Sequence, residues 1–536
     1  MNTLKDNPRL FWLLLFLTIA AAALLRVKYL AAGLEYDEIW SLENFSGMPV
    51  RELFVQLALP NNQPLNSLFI KLASALDLPL WGIRLHSLLA GILLLPLAGF
   101  ICYCLSGGKK AAALWTMVML ALSAPDATYA ALARGYALQV FFLTLFAAGI
   151  AACGRWRPKE KLLTYLPETA VFLGGVCAIL TIPTSVMYLG AIVIAAWIIH
   201  PVKPGKLLSA VMICGAGFAL AYYLYNYQQL NQARIWGTKI TDCKTYFSFL
   251  GNTAGSLITP AAALMALFAI YCSPARRISM LLILTLPLAA AIVTNAGPPR
   301  TYLPFCTAVA ILAGCGICDL AALLKEKMKV CGAVLLVIVL AAEYFWYLPA
   351  WRTPDWCDVY RAAAREPVHV LVVHRATSGY PLSWNNRPDI HTDFAKRLLD
   401  FSPQRELVMF DGAGRINGND DKTNEAVLPV NTRGQKDRIG GLHCRRYKLV
   451  ELSKPPRPGE VILVSIRPMV SLLFRIYVNA LAQSRMTWLQ LNPWLGSMNK
   501  GISYALLAGK VTKDASVNWE QLLESKGAVS VYRILQ

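Results

Sequence analysis

The chain has 536 residues, of which 56% are hydrophobic and only 15% charged, a composition too apolar for an ordinary soluble domain. The formal net charge of +20 does not indicate a nucleic-acid partner, because much of the basic charge lies in short loops between apolar runs. Membrane topology accounts for such loops. We therefore expect a polytopic α-helical membrane protein that binds no nucleic acid.

Apolar runs close to the length that a helix needs to cross a bilayer fill the first two thirds of the chain, and they predict about eleven spans. The predicted spans are residues 10–31, 82–105, 111–125, 135–153, 162–181, 184–200, 206–226, 254–272, 278–295, 301–322 and 329–348. Two amphipathic helices, at 48–59 and 65–76, are predicted to lie on the membrane surface within the loop 32–81.

Alternate loops between these spans are basic, which predicts the orientation of the chain. The basic loops are Gly107–Lys110, Gly154–Lys161, His200–Lys206, Ser273–Arg277 and Lys325–Lys329. Positive loops mark the cytoplasmic side, and the N-terminus, with Lys5 and Arg9, falls on that side too. We expect a plasma membrane, of bacterial inner-membrane type, with the loop 32–81, the segment 124–134, the loop 227–253 and the segment 295–300 outside.

The composition becomes more polar after the last predicted span, which divides the chain into a membrane domain, 1–348, and an extracytoplasmic α/β domain, 349–536. Strands are predicted at 368–374, 406–410, 461–467 and 529–535, and helices at 392–401 and 518–527. Cys357 and Cys444 in this domain could pair if they face an oxidising compartment. The cysteines of the apolar runs have no metal-ligand spacing and are interpreted as small hydrophobic residues.

Charged residues gather at the predicted outer ends of the spans. Asp37 and Glu38 follow the first span, while Arg84, Arg134 and Arg300 each open a later one. Such a carboxylate serves as a solvated helix end, a metal ligand or a general base, and a single arginine is often an interfacial anchor. Together the set suits a lipid-linked phosphate substrate, because arginine binds phosphate oxygens bidentately and keeps its charge.

This set predicts the transfer of a sugar from a polyprenyl phosphate. The departing phosphate needs stabilisation of its charge, which arginines provide, and a hydroxyl or amine acceptor needs a carboxylate within hydrogen-bond reach. In-line attack would invert the anomeric carbon. Arg26 and Lys28, near the outer end of the first span, either extend to the interface or serve an anionic ligand. The loop 227–253, with Arg234, is either an ordinary basic loop or a cover for the donor.

The sequence resembles the membrane glycosyltransferases of the GT-C type, close to glycosyltransferase family 39, which includes protein O-mannosyltransferases and aminoarabinose transferases. The resemblance covers about residues 10–345 and rests on five segments in order. They are YDEIWS (Tyr36–Ser41), NNQPLNSLFIKL (Asn61–Leu72), IRLHSLLAG (Ile83–Gly91), YAALARGYAL (Tyr129–Leu138) and PRTYLPF (Pro299–Phe305).

The resemblance implies that Asp37 is the catalytic base, assisted by Glu38, and that Arg134 and Arg300, with Arg84, bind the donor phosphate. It also implies substrate contacts from the further residues Asn61, Gln63, Tyr136 and Tyr302. Two positions depart from the family pattern, since Gln63 replaces a common histidine and Leu132 replaces an acidic residue. For that reason no metal is assigned, and a divalent cation stays an open question.

Two other classes of function compete with a transferase. A transporter or flippase of lipid-linked or anionic substrates predicts ionisable residues near the middle of spans and related halves of the chain. The predicted spans have almost no charge at mid-span, and the chain shows no internal repeat. The second class is a membrane scaffold without activity. The sequence names neither the sugar nor the acceptor, which is a lipid, a polysaccharide or a protein.

Overall fold

The structure is a computed structural model that describes residues 7–30, 32, 34–58, 62–153, 162–199, 205–234, 237, 239–351 and a set of strands nearer the C-terminus. The chain forms two units. The first comprises Met1–Ala31 and Phe45–Tyr347, and the second comprises Ala32–Asn44 and Leu348–Gln536.

The α-helices described are numbered in chain order, and α2 belongs to the second unit except for its last residue. They are α1 (Pro8–Val27), α2 (Tyr36–Phe45), α3 (Val50–Leu53), α4 (Pro64–Ala75), α5 (Leu85–Leu105), α6 (Lys110–Ala121), α7 (Ala124–Ala130), α8 (Gly135–Cys153), α9 (Leu166–Thr181), α10 (Ser185–Ile199), α11 (Lys206–Tyr225), α12 (Tyr227–Ala233), α13 (Cys243–Leu257), α14 (Pro260–Cys272), α15 (Pro274–Thr294), α16 (Pro304–Leu323) and α17 (Glu326–Trp351). Short 3₁₀ helices cover Leu80–Arg84, Leu162–Tyr165 and Pro299–Tyr302.

Helices long and apolar enough to cross a membrane occur throughout the first unit. Within the described residues there are six, α1, α5, α8, α11, α16 and α17, or up to eight if the bent pairs α6–α7 and α13–α14 each form one span. The chain is therefore a multi-pass membrane protein. Each of the predicted spans overlaps a helix, but α9, α10 and the apolar part of α15 are shorter than the 18 residues required of a span here. The count of about eleven spans thus stays a prediction.

The helices of the first unit differ in how far they are buried, which separates a core from a periphery. Of an apolar stretch of 18 residues in each helix, 56%, 61% and 72% are buried in α5, α8 and α16, against 6–11% in α1, α11 and α17. The apolar surfaces of the outer helices suit contact with lipid. Small residues let the inner helices approach closely. A Cβ on Gly174 of α9, for example, would lie 2.6 Å from the backbone nitrogen of Phe146 in α8.

Contacts between α5, α15 and α16 join loops that lie far apart in sequence. The Cys102 and Cys315 sulfurs lie 3.6 Å apart, between α5 and α16. Asp319, near the end of α16, forms ion pairs with Lys109 at 3.1 Å and with Arg276 at 2.5 Å. Two of the predicted cytoplasmic loops, Gly107–Lys110 and Ser273–Arg277, therefore lie beside the same end of α16.

The segments predicted as outer structure differ in part from the prediction. Helix α4 confirms that the second of the two predicted amphipathic segments is helical, whereas only Val50–Leu53 of the first is helical. Their location on the membrane surface stays a prediction. The predicted outer segment 124–134 contains α7, which bends by 68° from α6. The bend follows Ser123, whose hydroxyl contacts the Asp126 carboxylate three residues later at 2.5 Å. Ser123 is the N-cap residue of α7 and Pro125 lies in its first turn, and both residue types favour the start of a new helix.

In the C-terminal part of the second unit the strands described are β1 (Val370–His374), β2 (Glu406–Phe410), β3 (Arg438–Ile439), β4 (Leu442–His443), β5 (Val461–Ser465), β6 (Asn518–Ser525) and β7 (Val529–Leu535). Five of them form a sheet in the order β2-β1-β5-β7-β6, and β3 pairs with β4. Strand β1 is parallel to β2 and β5, whereas β7 is antiparallel to β5 and β6.

One secondary-structure prediction in this part is wrong. The helix predicted at 518–527 is strand β6, which pairs with β7 from Asn518 opposite Leu535 to Ser525 opposite Val529. Pairing with an adjacent strand overrides the local helical preference, since the backbone of a hairpin satisfies its hydrogen bonds across the pair. The four predicted strands coincide with β1, β2, β5 and β7. The predicted helix at 392–401, Cys357 and Cys444 lie outside the described residues.

Candidate functional site

Arg134 lies in the turn between α7 and α8, and its side chain is buried, with 2% of its surface exposed. The turn is closed by a hydrogen bond from the Arg134 N–H to the Leu132 carbonyl, at 2.8 Å. Helix α8 begins at the next residue, Gly135. A guanidinium in so apolar a place is costly to bury, so its position must be fixed by specific neighbours.

Tyr136, in the first turn of α8, brings two of the predicted arginines together. The guanidinium carbon of Arg134 lies 5.7 Å from the centre of the Tyr136 ring, within the range of a cation–π contact. The Nε of Arg300, on the 3₁₀ helix Pro299–Tyr302, donates to the Tyr136 hydroxyl at 3.1 Å. Arg134, Tyr136 and Arg300 form what we call the arginine pair site.

Polar side chains from α4 and α5 hold the backbone of the turn that carries Arg134. The Gln63 amide oxygen accepts from the Gly135 N–H at 2.5 Å. Asn66 donates to the Ala133 carbonyl at 3.2 Å, and the Ser87 hydroxyl donates to the Arg134 carbonyl at 3.3 Å. All three side chains are buried. Gln63, which departs from the histidine of the family pattern, therefore has a definite contact as a support of this turn.

Aromatic side chains surround the arginine pair site. The ring of Tyr129, on α7, meets the Tyr136 ring edge-on at 5.0 Å between centres. Tyr302 is buried and packs against Phe249 at 5.3 Å and Phe305 at 5.7 Å. The predicted substrate residue Tyr302, two residues after Arg300, therefore lies in an aromatic cluster. Asn61 lies outside the described residues.

Arg84 is also buried, and its described hydrogen bonds go to backbone. Its Nη1 donates to the Leu30 carbonyl at 2.8 Å and to the Tyr29 carbonyl at 3.3 Å. Both carbonyls belong to the chain that follows α1, so Arg84 anchors that segment to the start of α5. Its predicted contact with a donor phosphate stays a prediction.

The predicted catalytic carboxylates lie in the first turn of α2, in the second unit. The Glu38 carboxylate accepts from the Glu35 N–H at 2.9 Å, as the acidic residue of a capping box does, and Glu38 is buried. Asp37 is half-buried, and its backbone carbonyl accepts from the Ser41 hydroxyl at 2.8 Å. The structure thus gives Glu38 a role in starting the helix, and the catalytic assignments stay predictions.

Two buried ionisable residues were not among the predicted site residues. Arg26 is completely buried and donates to the carbonyls of Ala22 at 3.0 Å, Leu120 at 3.1 Å and Ala121 at 3.5 Å. Arg26 therefore does not extend to the membrane interface, which was one of the two alternatives predicted from the sequence. Asp126 of α7 is buried as well and interacts electrostatically with Arg26. The Ser-x-x-Asp spacing at Ser123 was the available signal for Asp126.

The predicted outer loop 227–253 contacts the chain on both sides of Arg300. Asn295 donates to the Arg234 carbonyl at 2.8 Å, and the Phe249 ring packs against Tyr302. Asp242 caps α13 by accepting from the Thr245 N–H at 2.7 Å, and the hydrogen bonds from the Thr245 backbone and hydroxyl lower the pKa of Asp242. Lys239 and Lys244 are exposed.

Among the residues that the structure describes, no group of three or more His, Cys, Asp or Glu side chains is arranged to hold a metal ion.

No protein-family model matches the chain, and no curated protein matches it. Solved structures do. ArnT from Cupriavidus metallidurans in the apo state is 16% identical, with a TM-score of 0.45, over 73% of this chain and 72% of that one. ArnT from the same organism bound to undecaprenyl phosphate is 16% identical, with a TM-score of 0.43, over 66% of this chain and 72% of that one. The oligosaccharyltransferase AglB from Archaeoglobus fulgidus, bound to an inhibitory peptide and a dolichol-phosphate, is 9% identical, with a TM-score of 0.42, over 99% and 89%. These neighbours are GT-C glycosyltransferases, the class that the sequence motifs resemble.

Proposed function

We propose that the chain is an integral-membrane glycosyltransferase that moves a sugar from a polyprenyl-phosphate donor to an acceptor at the outer face of the membrane. The observation that supports this most strongly is the convergence of Arg134 and Arg300 on Tyr136. Tyr136 thus holds two positively charged guanidinium groups close to one another. A phosphate monoester matches their charge and their fork-shaped geometry.

The arginine pair would act on the leaving group. When the bond between the anomeric carbon and the phosphate oxygen breaks, the phosphate gains negative charge. Positive groups already held in place stabilise that charge without rearranging at the moment of reaction. The backbone contacts from Gln63, Asn66 and Ser87 hold Arg134 in this way.

Asp37 is our candidate for the general base. It would accept the proton of the acceptor hydroxyl or amine as that atom attacks the anomeric carbon, opposite the departing phosphate, with inversion. Glu38, which caps its own helix, would hold Asp37 in position. The acceptor is a lipid, a polysaccharide or a protein side chain, and mass spectrometry of the cell envelope would identify it.

The test compares cells that produce the wild-type chain, Asp37→Asn or Arg300→Ala, by mass spectrometry of lipid-linked sugars and envelope glycans. We expect both variants to accumulate one polyprenyl-phosphate sugar and to lose one product. Arg51→Ala is the matched control, because Arg51 is an exposed arginine in the same predicted outer loop. Wild-type product levels in a stably produced Asp37→Asn variant would remove the base. Unchanged product in both variants would favour a transporter or a scaffold.

A further inference from the structure

His86, in the first turn of α5, contacts the residue that supports the turn of Arg134 and touches neither arginine in the contacts described. Its Nε2 lies 2.8 Å from the Oδ1 of Asn66. The Phe69 ring stacks on the imidazole at 5.1 Å between centres, with 14° between the planes. The ring of His86 is therefore held from one side by a stack and from its edge by a hydrogen bond.

The hydrogen bonds around Asn66 determine which nitrogen of His86 carries a proton. The Ala133 carbonyl only accepts hydrogen bonds, so the Asn66 atom that faces it, at 3.2 Å, must be the amide NH₂. The other end of the amide, Oδ1, then faces His86 and also only accepts. His86 must therefore be the donor, with a proton on Nε2.

This donor selects one of the two orientations of a buried amide. Asn66 is completely buried, so a reversed side chain would set its NH₂ against His86 and its oxygen against the Ala133 carbonyl. Two acceptors facing each other in an apolar place are strongly disfavoured. His86 thus fixes Asn66, and Asn66 fixes the carbonyl that precedes Arg134.

We propose that His86 is a positioning residue for Arg134, acting through Asn66 and the Ala133 carbonyl. This inference rests on the proposed function, in which Arg134 binds the donor phosphate. His86 touches neither donor nor acceptor, and its contribution is the direction in which the buried guanidinium points.

The experiment measures the binding of undecaprenyl phosphate to the full chain in nanodiscs. His86→Phe keeps an aromatic ring for the stack with Phe69 and removes the donor, and we expect it to weaken binding about fivefold, the value of one ordinary hydrogen bond. His86→Gln restores an N–H donor and should recover most of the affinity. Tyr103→Phe, at the other end of α5, is the matched control and should bind as the wild type does.

A double-mutant cycle separates positioning from a general loss of structure. In an Arg134→Ala background, His86→Phe should cause no further loss of binding, because the guanidinium that His86 orients is already gone. If His86→Phe does not fold, Asn66→Asp serves instead, since it keeps the acceptor for His86 and removes the donor to Ala133.

The outcomes distinguish the two proposals. If Arg134→Ala weakens binding but His86→Phe does not, or if their losses add fully in the double variant, the positioning role is overturned and the proposed function stands. If Arg134→Ala binds undecaprenyl phosphate as tightly as the wild type, the proposed function fails, and the positioning role fails with it.

Discussion

Tyr136 contacts the two arginines with different parts of its side chain, which allows their contributions to be separated. The ring faces the Arg134 guanidinium at 5.7 Å, and the hydroxyl accepts from the Nε of Arg300 at 3.1 Å. Removing only the hydroxyl leaves the Arg134 contact in place. Arg300 is half-buried and would then be freer to turn away from the site.

We therefore expect Tyr136→Phe to lower the efficiency of sugar transfer, kcat/KM, by about tenfold, because a hydrogen bond to a charged group contributes roughly 1.5–3 kcal/mol and part is recovered from water. Transfer in reconstituted membranes measures this. In an Arg300→Ala background the same change should have little effect. A kcat/KM equal to that of the wild type would show that the Tyr136 hydroxyl does not orient Arg300.

Gly135 is the residue at which the supporting contacts leave least room. A Cβ there would lie 2.9 Å from the Gln63 amide oxygen and 2.9 Å from the Thr181 Cγ2, both closer than real contacts allow. The Gln63 oxygen is the same atom that accepts from the Gly135 N–H. An added methyl group would therefore push Gln63 away from the turn of Arg134.

Gly135→Ala should accordingly lower the stability of the chain by about 1–3 kcal/mol, the usual range for overpacking, and weaken phosphate binding. Thermal unfolding in detergent and binding of undecaprenyl phosphate measure the two effects. Gly190→Ala in α10 is the matched control, because its Cβ would meet nothing within 4 Å. It should leave stability unchanged or slightly raised. Equal behaviour of the two variants would contradict the described approach of Gln63.

The sequence predicted that Arg134 and Arg300 lie close together, but it did not predict the contacts that hold them. Arg134, Arg300 and Tyr136 were all predicted, and the structure brings them together. The contact of Gln63 with the turn depends on where α4 packs, which no local pattern encodes. Burial of Arg26 was missed for the same reason, since its partners, Leu120 and Ala121, are about 95 positions away in sequence.

At the scale of elements, hydrophobic runs located the helices because each run is a local property of the chain. The helices α9 and α10 illustrate this, since the short Ile182–Thr184 link was enough to divide them. Strand β6 shows where such reasoning fails. Its Asn518–Ser525 segment has helix-forming residues, and only its pairing with β7 makes it extended.

The packing of α5 on α16 predicts a cross-link. Because the sulfurs of Cys102 and Cys315 lie 3.6 Å apart, mild oxidation with copper phenanthroline should join them in a disulfide. Mass spectrometry of the digested chain would detect the linked peptides. Cys102→Ser, the matched control, should abolish the link. Persistent alkylation of both thiols after oxidation would contradict this packing.

At the scale of the whole molecule, ion pairs at the end of α16 bring together two of the basic loops that predict the cytoplasmic side. Asp319 joins Lys109 and Arg276, which belong to two loops that charge bias assigns to the cytoplasm. Arg300 precedes the first residue of α16, whereas Asp319 lies near its last residue, so the arginine pair site is at the other end of that helix.

Reporter fusions test that orientation. A fusion after Lys109 or Arg276 should be active only as a cytoplasmic reporter, such as green fluorescent protein. A fusion after Asp77, between α4 and α5, should be active only as alkaline phosphatase, which requires the outer side. The reverse pattern would place the arginine pair site in the cytoplasm and would contradict an extracytoplasmic transferase.

We propose above all that Arg134 and Arg300 bind the phosphate of a polyprenyl donor. Cryo-electron microscopy of the chain with bound undecaprenyl phosphate tests it most directly. We expect phosphate oxygens within about 3 Å of guanidinium nitrogens of both arginines. A phosphate bound away from both arginines would contradict this proposal.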